Sequence, residues 1–178
     1  MNTSFKVVNI VSTATLSRHV NIESLPQLFP HESVHDKEIY RGRVAYFKSK
    51  AMQGKVTIFP SGKLISLGTK SIEESIKDLD ILAKALKASI TKPEIRNIVA
   101  TADLGRRIDL ENIHLLREIG GIYEPEQFPG AIIKIPLGEE NIATILLFAS
   151  GKLVCVGLKN LENIKEAIEQ LVALINVY

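Results

Sequence analysis

The sequence predicts an α+β protein built from two tandem copies of one unit, with helices on one face of an antiparallel sheet. The first observation is a repeat. NIVSTA at residues 9–14 returns as NIVATA at 97–102 (97 − 9 = 88), and FPSGKL at 59–64 returns as FASGKL at 148–153 (148 − 59 = 89). The second observation is a series of segments rich in β-branched residues, which turn residues separate. The third is a long amphipathic segment at the end of each copy. A nearly constant offset predicts two repeats, residues 1–90 and 91–178.

Each repeat is predicted to hold the same elements in the same order. Residues 6–13 and 95–101 are rich in β-branched side chains and predict the opening strands. Short helical patterns follow at 22–28 and 110–119, the second ending at two glycines. Turn residues separate three further strand candidates per repeat. These candidates are residues 43–47, 55–59 and 64–67, then 131–135, 142–148 and 152–156.

The closing segments, residues 71–88 and 161–175, predict long amphipathic helices. In the first, Ile72, Ile76, Leu79 and Leu82 recur at spacings of three and four, so one stripe is expected to face a sheet. Because the helices cover only one face, the pattern predicts an open face on the other side of the sheet.

Composition places the chain among ordinary globular proteins, with 178 residues, 46% hydrophobic and 24% charged. No apolar run approaches the length of a membrane span, and the first twenty residues lack the apolar block of a signal peptide. We therefore expect no membrane partner. The single cysteine, Cys155, predicts neither an internal disulfide nor a metal cluster, and is expected to be a small core residue in a reducing compartment.

Charge divides unevenly between the repeats. Residues 1–90 carry 13 Lys and Arg against 8 Asp and Glu, a net charge of +5, whereas 91–178 carry 9 against 12, a net charge of −3. The two repeats are therefore expected to present different electrostatic surfaces, and the acidic one suits a basic protein partner better than DNA.

Strand alternation indicates what the open face carries. If the side chain of Asn9 points to that face, so do those of Val11 and Thr13. If Asn97 points to it, so does Val99. An apolar face with two central amides is unusual on a free surface. It suits the DNA minor groove, whose floor offers few polar groups beyond the A N3 and T O2 acceptors.

These motifs resemble the TATA-box-binding protein family over almost the whole chain. The residues that carry the resemblance are the two Asn-Ile-Val strands, YEPEQFPG at 123–130, the two Phe-x-Ser-Gly-Lys-Leu segments, and Gly-x-Lys at 68–70 and 157–159. The match is close in the second repeat and looser in the first, where EIYRG at 38–42 stands in place of EQFPG at 126–130. The chain resembles a diverged member or paralogue. The resemblance implies one saddle-shaped, curved antiparallel sheet with the helices on its convex face.

The resemblance also implies a DNA-binding site. Phe128 and Phe148 match the paired aromatic wedges that open a base step in this family, and Tyr40 and Phe59 match the other pair. Asn9 and Asn97 match amides that bond base edges at the pseudo-dyad. Apolar contacts are assigned to Val11, Ile65, Val99, Leu146 and Val154. Phosphate and backbone contacts are assigned to Lys63, Lys70, Lys152 and Lys159, to Ser61 and Ser150, and to Lys134 beside the groove.

Several residues depart from the family pattern. Leu67 and Val156 stand where threonine is usual, immediately before the glycine of each Gly-x-Lys segment. Thr57 replaces an expected leucine, Tyr46 an expected arginine, and Arg41 a small residue beside the first wedge. Because most of these changes lie in residues 1–90, the first repeat is expected to bind DNA with altered or relaxed sequence preference.

A protein partner is implied by the loop that holds Glu124, Glu126 and Gln127. In the family this loop docks transcription factor B, through which RNA polymerase is reached indirectly. The leading hypothesis is therefore a general or alternative initiation factor that binds and bends A·T-rich promoter DNA and recruits transcription factor B.

Two other hypotheses compete with it. One is an interaction module that keeps the partner but binds DNA weakly, which Leu67, Val156 and Tyr46 favour and the phenylalanines and paired asparagines oppose. The other is an enzyme, but the four histidines lack metal-ligand spacing and no nucleophile motif or phosphate-binding loop occurs. No cofactor and no small-molecule substrate are therefore expected.

The absence of a long amino-terminal tail resembles archaeal members of the family. This resemblance predicts a cytoplasmic protein, or a nuclear one if the source is eukaryotic.

Overall fold

The structure is a computed structural model and describes residues 4–111, 121–138 and 141–176. The chain forms two compact units. The first-repeat unit is Asn9–Arg96, and the second-repeat unit is Asn97–Tyr178 together with Met1–Val8. Among the described residues, no helix is both long and apolar enough to cross a membrane.

The first-repeat unit is an antiparallel sheet with a helix against it. Its strands are β1 (Phe5–Thr15, whose first residues belong to the other unit), β2 (Ser33–Val34), β3 (Ala45–Phe47), β4 (Lys55–Ile58) and β5 (Lys63–Thr69). They pair in the order β2-β3-β4-β5-β1. A 3₁₀ turn at Ile22–Ser24 and the short helix α1 (Leu25–Leu28) follow β1, a second 3₁₀ turn spans Ile39–Gly42, and α2 (Ile72–Ala85) closes the unit.

The second-repeat unit repeats this plan. Its strands are β6 (Glu94–Asp103), β7 (Gly130–Leu137), β8 (Asn141–Phe148) and β9 (Lys152–Leu158), paired in the order β6-β9-β8-β7. The helix α3 (Leu161–Asn176) closes it. The predicted helix at residues 110–119 falls mainly on 112–120, which lie outside the described residues.

Packing follows the predicted periodicity, so the α+β fold class is confirmed. α2 packs on β4 and β5, and α3 packs on β7 and β9. α2 begins with a capping box, in which Glu74 N–H donates to Ser71 Oγ at 3.1 Å and Ser71 N–H donates to Glu74 Oε2 at 3.2 Å. Cys155 is buried as expected, and desolvation raises the pKa of its thiol to about 11.

Two local predictions were imprecise. The segment 22–28 forms a 3₁₀ turn followed by a single α turn with Pro26 near its start, not one helix. The strand expected from residue 43 begins at Ala45. Arg43 has helical φ and ψ values of −85° and −2°, so the strand cannot begin there. A left-handed run precedes it, in which Tyr40, Arg41 and Gly42 have φ values of 48°, 56° and 68°.

Candidate nucleic-acid interface

The open face of each unit is the sheet face away from its long helix, and strand alternation places the predicted residues on it. In β1 the side chains of Ile10, Ser12 and Ala14 are buried, whereas Asn9 and Val11 are half-exposed. β6 alternates in the same way. The predicted orientation of both Asn-x-Val segments is therefore confirmed.

A β-bulge stands beside each asparagine. Ile10 pairs with Thr69 and Ser12 with Ser66, so Val11 lies opposite two residues, Leu67 and Gly68. The bulge repeats in the second unit, where Val99 lies opposite Val156 and Gly157. Gly68 and Gly157 both have φ of +94°, a conformation that favours glycine.

The asparagine side chains close these bulges. Gly68 N–H donates to Asn9 Oδ1 at 2.7 Å, and Gly157 N–H donates to Asn97 Oδ1 at 2.9 Å. The Nδ2 group of each asparagine has no hydrogen-bond partner among the described residues, so it keeps both N–H donors for another partner. A donor on an otherwise apolar face complements the acceptors of an A·T minor groove.

Cross-strand pairing arranges the remaining open-face side chains in rows. In the second-repeat unit the row is Ile132, Leu146, Val154 and Thr101. In the first-repeat unit it is Tyr46, Thr57, Ile65 and Thr13. The two rows occupy equivalent positions in the two units but differ in chemistry. Three of the four side chains are apolar in the second unit, whereas three of the four carry hydroxyls in the first.

The strand register identifies the counterpart of Tyr46 in the second repeat. Tyr46 pairs with Thr57 as Ile132 pairs with Leu146, so Tyr46 is the counterpart of Ile132, although a constant offset of 88 positions would place it opposite Lys134. The pairs Val34–Tyr46 and Ile122–Ile132 also correspond, which shows that the first repeat holds two extra residues in the intervening loop. The left-handed run at residues 40–42 lies in this loop.

The second-repeat aromatics form a pair. The rings of Phe128 and Phe148 have centroids 5.7 Å apart with an interplanar angle of 59°. A turn presents Phe128, because the N–H groups of Gln127 and Phe128 both donate to the Glu124 carbonyl at 2.9 Å. Gly130 lets the rings approach, since a Cβ there would lie 2.9 Å from Phe128 Cε1 and 3.1 Å from Phe148 Cδ1.

The first-repeat aromatics are arranged differently. Tyr40 is 72% exposed, and within the described residues its ring makes no contact with that of Phe59. His35 Nε2 lies 3.0 Å from the Gly42 carbonyl oxygen and supports the left-handed turn. Tyr40 and Phe59 instead line one cavity of about 670 Å³. Its other lining residues are Arg41, Arg43, Val44, Tyr46, Lys55, Thr57, Ile65 and Leu67.

The predicted phosphate-contacting lysines are all exposed, namely Lys63, Lys70, Lys134, Lys152 and Lys159. Ser61 and Ser150 lie in the two hairpins. The N–H of Lys63 donates to Ser61 Oγ, and that of Lys152 to Ser150 Oγ, both at 3.4 Å. The two turns therefore have matching backbone contacts, and the roles assigned to these lysines and serines in DNA binding stay predictions.

The predicted partner loop is accessible. Glu124, Glu126 and Gln127 are exposed, and neither carboxylate forms a salt bridge with any residue the structure describes. Docking of a protein partner here remains a prediction.

Sequence reasoning missed some residues at the site. Arg43 and Lys55 line the first-repeat cavity, and Lys55 Nζ lies 4.7 Å from the centroid of the Tyr46 ring. Phe5 and Lys6 line a second cavity, of about 690 Å³, beside Phe148 and Lys152. Comparison of the two repeats did not indicate that Phe5 belongs to the site, because the residue 88 positions later is Pro93, which is not aromatic.

Comparison with known proteins yields consistent matches. A sequence model of the family described as "Transcription factor TFIID (or TATA-binding protein, TBP)" matches residues 4–89 and again 92–178. The TATA-box-binding protein of Cenarchaeum symbiosum is 35% identical over 177 residues, covering 96% of this chain and 93% of that one. That of Methanosphaera stadtmanae is 40% identical over 162 residues, covering 86% and 84%. Among solved structures, "Methanococcus jannaschii TBP" superposes with a TM-score of 0.82 and 30% identity, covering 98% and 99% of the two chains.

Proposed function

The chain belongs to the TATA-binding protein family, and on that premise we propose that it is a general or alternative transcription initiation factor. It binds and bends A·T-rich promoter DNA through the minor groove and recruits transcription factor B. The observation that carries the proposal is the repeated asparagine beside a β-bulge, with its amide donors left for a partner.

The chemistry of the open face supports minor-groove binding. Around each asparagine lie half-exposed apolar side chains, Val11, Ile65 and Leu67 in the first unit and Val99, Val154 and Val156 in the second. These side chains suit sugars and base edges, while the exposed lysines suit the phosphates. The Phe128–Phe148 pair has the size and apolar character of a wedge that unstacks a base step.

The remaining assignments extend this proposal. Each repeat, residues 1–90 and 91–178, would engage one half of the DNA site. Glu124, Glu126 and Gln127 would bind transcription factor B, and RNA polymerase would be reached through that factor. The archaeal relatives support a cytoplasmic setting.

A second candidate is an interaction module that binds transcription factor B but binds DNA only weakly. The arrangement of the first-repeat aromatics favours it, because an exposed Tyr40 in a left-handed turn is not preassembled with Phe59. DNA binding separates the two candidates.

We expect the purified protein to bend an A·T-rich duplex, because paired aromatic wedges can unstack a base step only by kinking the helix. Fluorescence transfer between dyes on the two ends of a short duplex measures the bend. A duplex of the same length without A·T tracts is the control. If the end-to-end distance stays the same at saturating protein, with and without transcription factor B, the initiation-factor proposal is wrong.

We also expect the double substitution Leu67→Thr and Val156→Thr to strengthen binding to an A·T-rich duplex. Both positions lie in the bulges opposite Val11 and Val99, where a hydroxyl would reach the groove floor without a change of backbone. Two added hydrogen bonds of about 1 kcal/mol each correspond to roughly a thirtyfold gain in affinity. A titration at fixed salt, with Leu67→Val as the matched apolar control, measures it. Unchanged or weaker binding would show that the apolar residues suit a different DNA sequence.

A further inference from the structure

We propose that the first repeat accepts a guanine–cytosine pair in its half of the DNA site and recognises the guanine amino group through the hydroxyl of Thr57. This inference rests on the proposed function, since it concerns the same open face. It makes the two halves of the site unequal, with a strictly A·T half under the second repeat and a half that admits one guanine under the first.

The position of Thr57 supports this. Thr57 lies in the middle of β4 and lines the cavity of the first-repeat unit, while its neighbours Val56 and Ile58 are fully buried in the core. Although Thr57 is only 8% exposed, its hydroxyl has no hydrogen-bond partner among the described residues. Because this unpaired hydroxyl is not among the fully buried atoms and lines the cavity, it can pair with a ligand that enters there.

The neighbouring polar groups strengthen the case. Tyr46, the cross-strand neighbour of Thr57, adds a second hydroxyl that has no partner in the described part of the chain. By contrast, the Thr13 hydroxyl at the other end of the row already accepts a hydrogen bond from Arg96 Nε at 3.0 Å. The free hydroxyls are therefore confined to the outer part of the row, at the cavity.

The chemistry of the minor groove identifies what these hydroxyls would bind. The one group that distinguishes G·C from A·T there is the guanine N2 amino group, a hydrogen-bond donor. A row of Ile132, Leu146 and Val154 leaves that donor buried and unpaired, which is costly. Thr57 replaces Leu146 in the equivalent row and supplies an acceptor at the same place.

The cations around the cavity fit the same ligand. Arg41, Arg43 and Lys55 line it, so a phosphate backbone passing its rim would meet three positive charges. Lys55 is already placed over the Tyr46 ring, 4.7 Å from its centroid, which orients that ring beside Thr57. A polynucleotide satisfies both the cationic rim and the hydroxyl floor.

The test uses inosine, which differs from guanine only by lacking the N2 amino group. An A·T-rich duplex is prepared with a single G·C or a single I·C pair at each position in turn, and the affinity of the full-length protein is measured at fixed salt. We expect G·C to bind more weakly than I·C at positions under the second repeat. At one position under the first repeat, G·C should bind at least as tightly as I·C.

Substitutions assign that position to Thr57. Thr57→Val keeps the shape but removes the hydroxyl, and should lower the G·C to I·C affinity ratio there by about three- to tenfold. Thr57→Ser keeps the hydroxyl and should preserve the ratio. The reciprocal change Leu146→Thr should raise the ratio at one position in the other half. Thermal unfolding of each variant shows that it is folded.

The outcomes separate this inference from the proposed function. If the protein binds and bends the A·T duplex but favours I·C over G·C at every position, or if Thr57→Val leaves the ratio unchanged, the inference is wrong and the proposed function stands. If the wild-type protein binds none of the duplexes, both are wrong.

Discussion

Phe148→Ala and Phe128→Ala are each expected to weaken DNA binding by about 2–4 kcal/mol, roughly thirty- to a thousandfold. The two rings lie with centroids 5.7 Å apart, so the pair that we propose as a wedge is already assembled in the absence of DNA. Removing either ring destroys the pair and leaves the other without its neighbour. An electrophoretic shift with an A·T-rich duplex at fixed salt measures the loss.

Tyr40→Ala is the matched control within the same chain and is expected to cost tenfold or less. Tyr40 is exposed and makes no ring contact with Phe59, so its insertion must first order the side chain and then desolvate its hydroxyl. Tyr40→Phe should bind at least as well as the wild-type protein. Equal losses for Tyr40→Ala and Phe148→Ala would show that both repeats insert alike, and normal binding by both phenylalanine variants would refute the wedge assignment.

Charge reversal at Glu124 and Glu126 is expected to abolish recruitment of transcription factor B. Both carboxylates are exposed and free of salt bridges within the described residues, so a basic partner surface can pair with them directly. Placing lysines there brings like charges together across the interface, at a cost of several kcal/mol. Binding to DNA alone should be unchanged or slightly tighter, because added cations favour the phosphate backbone.

The first repeat offers a matched control for this experiment. Asp36 and Glu38 lie 88 positions before Glu124 and Glu126 and are also exposed. Reversing both makes the same change in net charge on the related loop, and recruitment should persist. Complex formation is measured on a short duplex with purified factor. Should the Glu124 and Glu126 variant still recruit the factor at wild-type affinity, the partner binds elsewhere.

Much of the fold was predictable because it follows local periodicity. The strands containing Asn9 and Asn97, the hairpins before Lys63 and Lys152, and the helix beginning after Ser71 all agree with the sequence pattern. The family resemblance is confirmed by a match to each repeat in turn. Period-two alternation also placed Asn9 and Val11 correctly, because a strand can bury only one of its faces against a helix.

The counterpart of Tyr46 in the second repeat could not be read from the sequence. A constant offset of 88 positions would place Tyr46 opposite Lys134. Pairing with Thr57 makes it the counterpart of Ile132. Two extra residues are absorbed by a left-handed run that includes non-glycine Tyr40 and Arg41, and no sequence rule identifies such a run in advance.

The sequence by itself determined the duplication, the α+β class, the family and the residue types on the open face, because these depend on patterns repeated along the chain. The tertiary structure decided which hydrogen-bond donors and acceptors of those residues remain available to a partner. Gly68 lies 59 residues from Asn9 in the chain. Only the fold brings its N–H to the Asn9 amide oxygen at the bulge, which leaves the Asn9 Nδ2 donors for a partner. In the same way, only strand pairing brings Tyr46 and Thr57 together at one cavity. Hydrogen-bond capacity is a property of contacts between distant residues, whereas periodicity is a property of neighbouring ones.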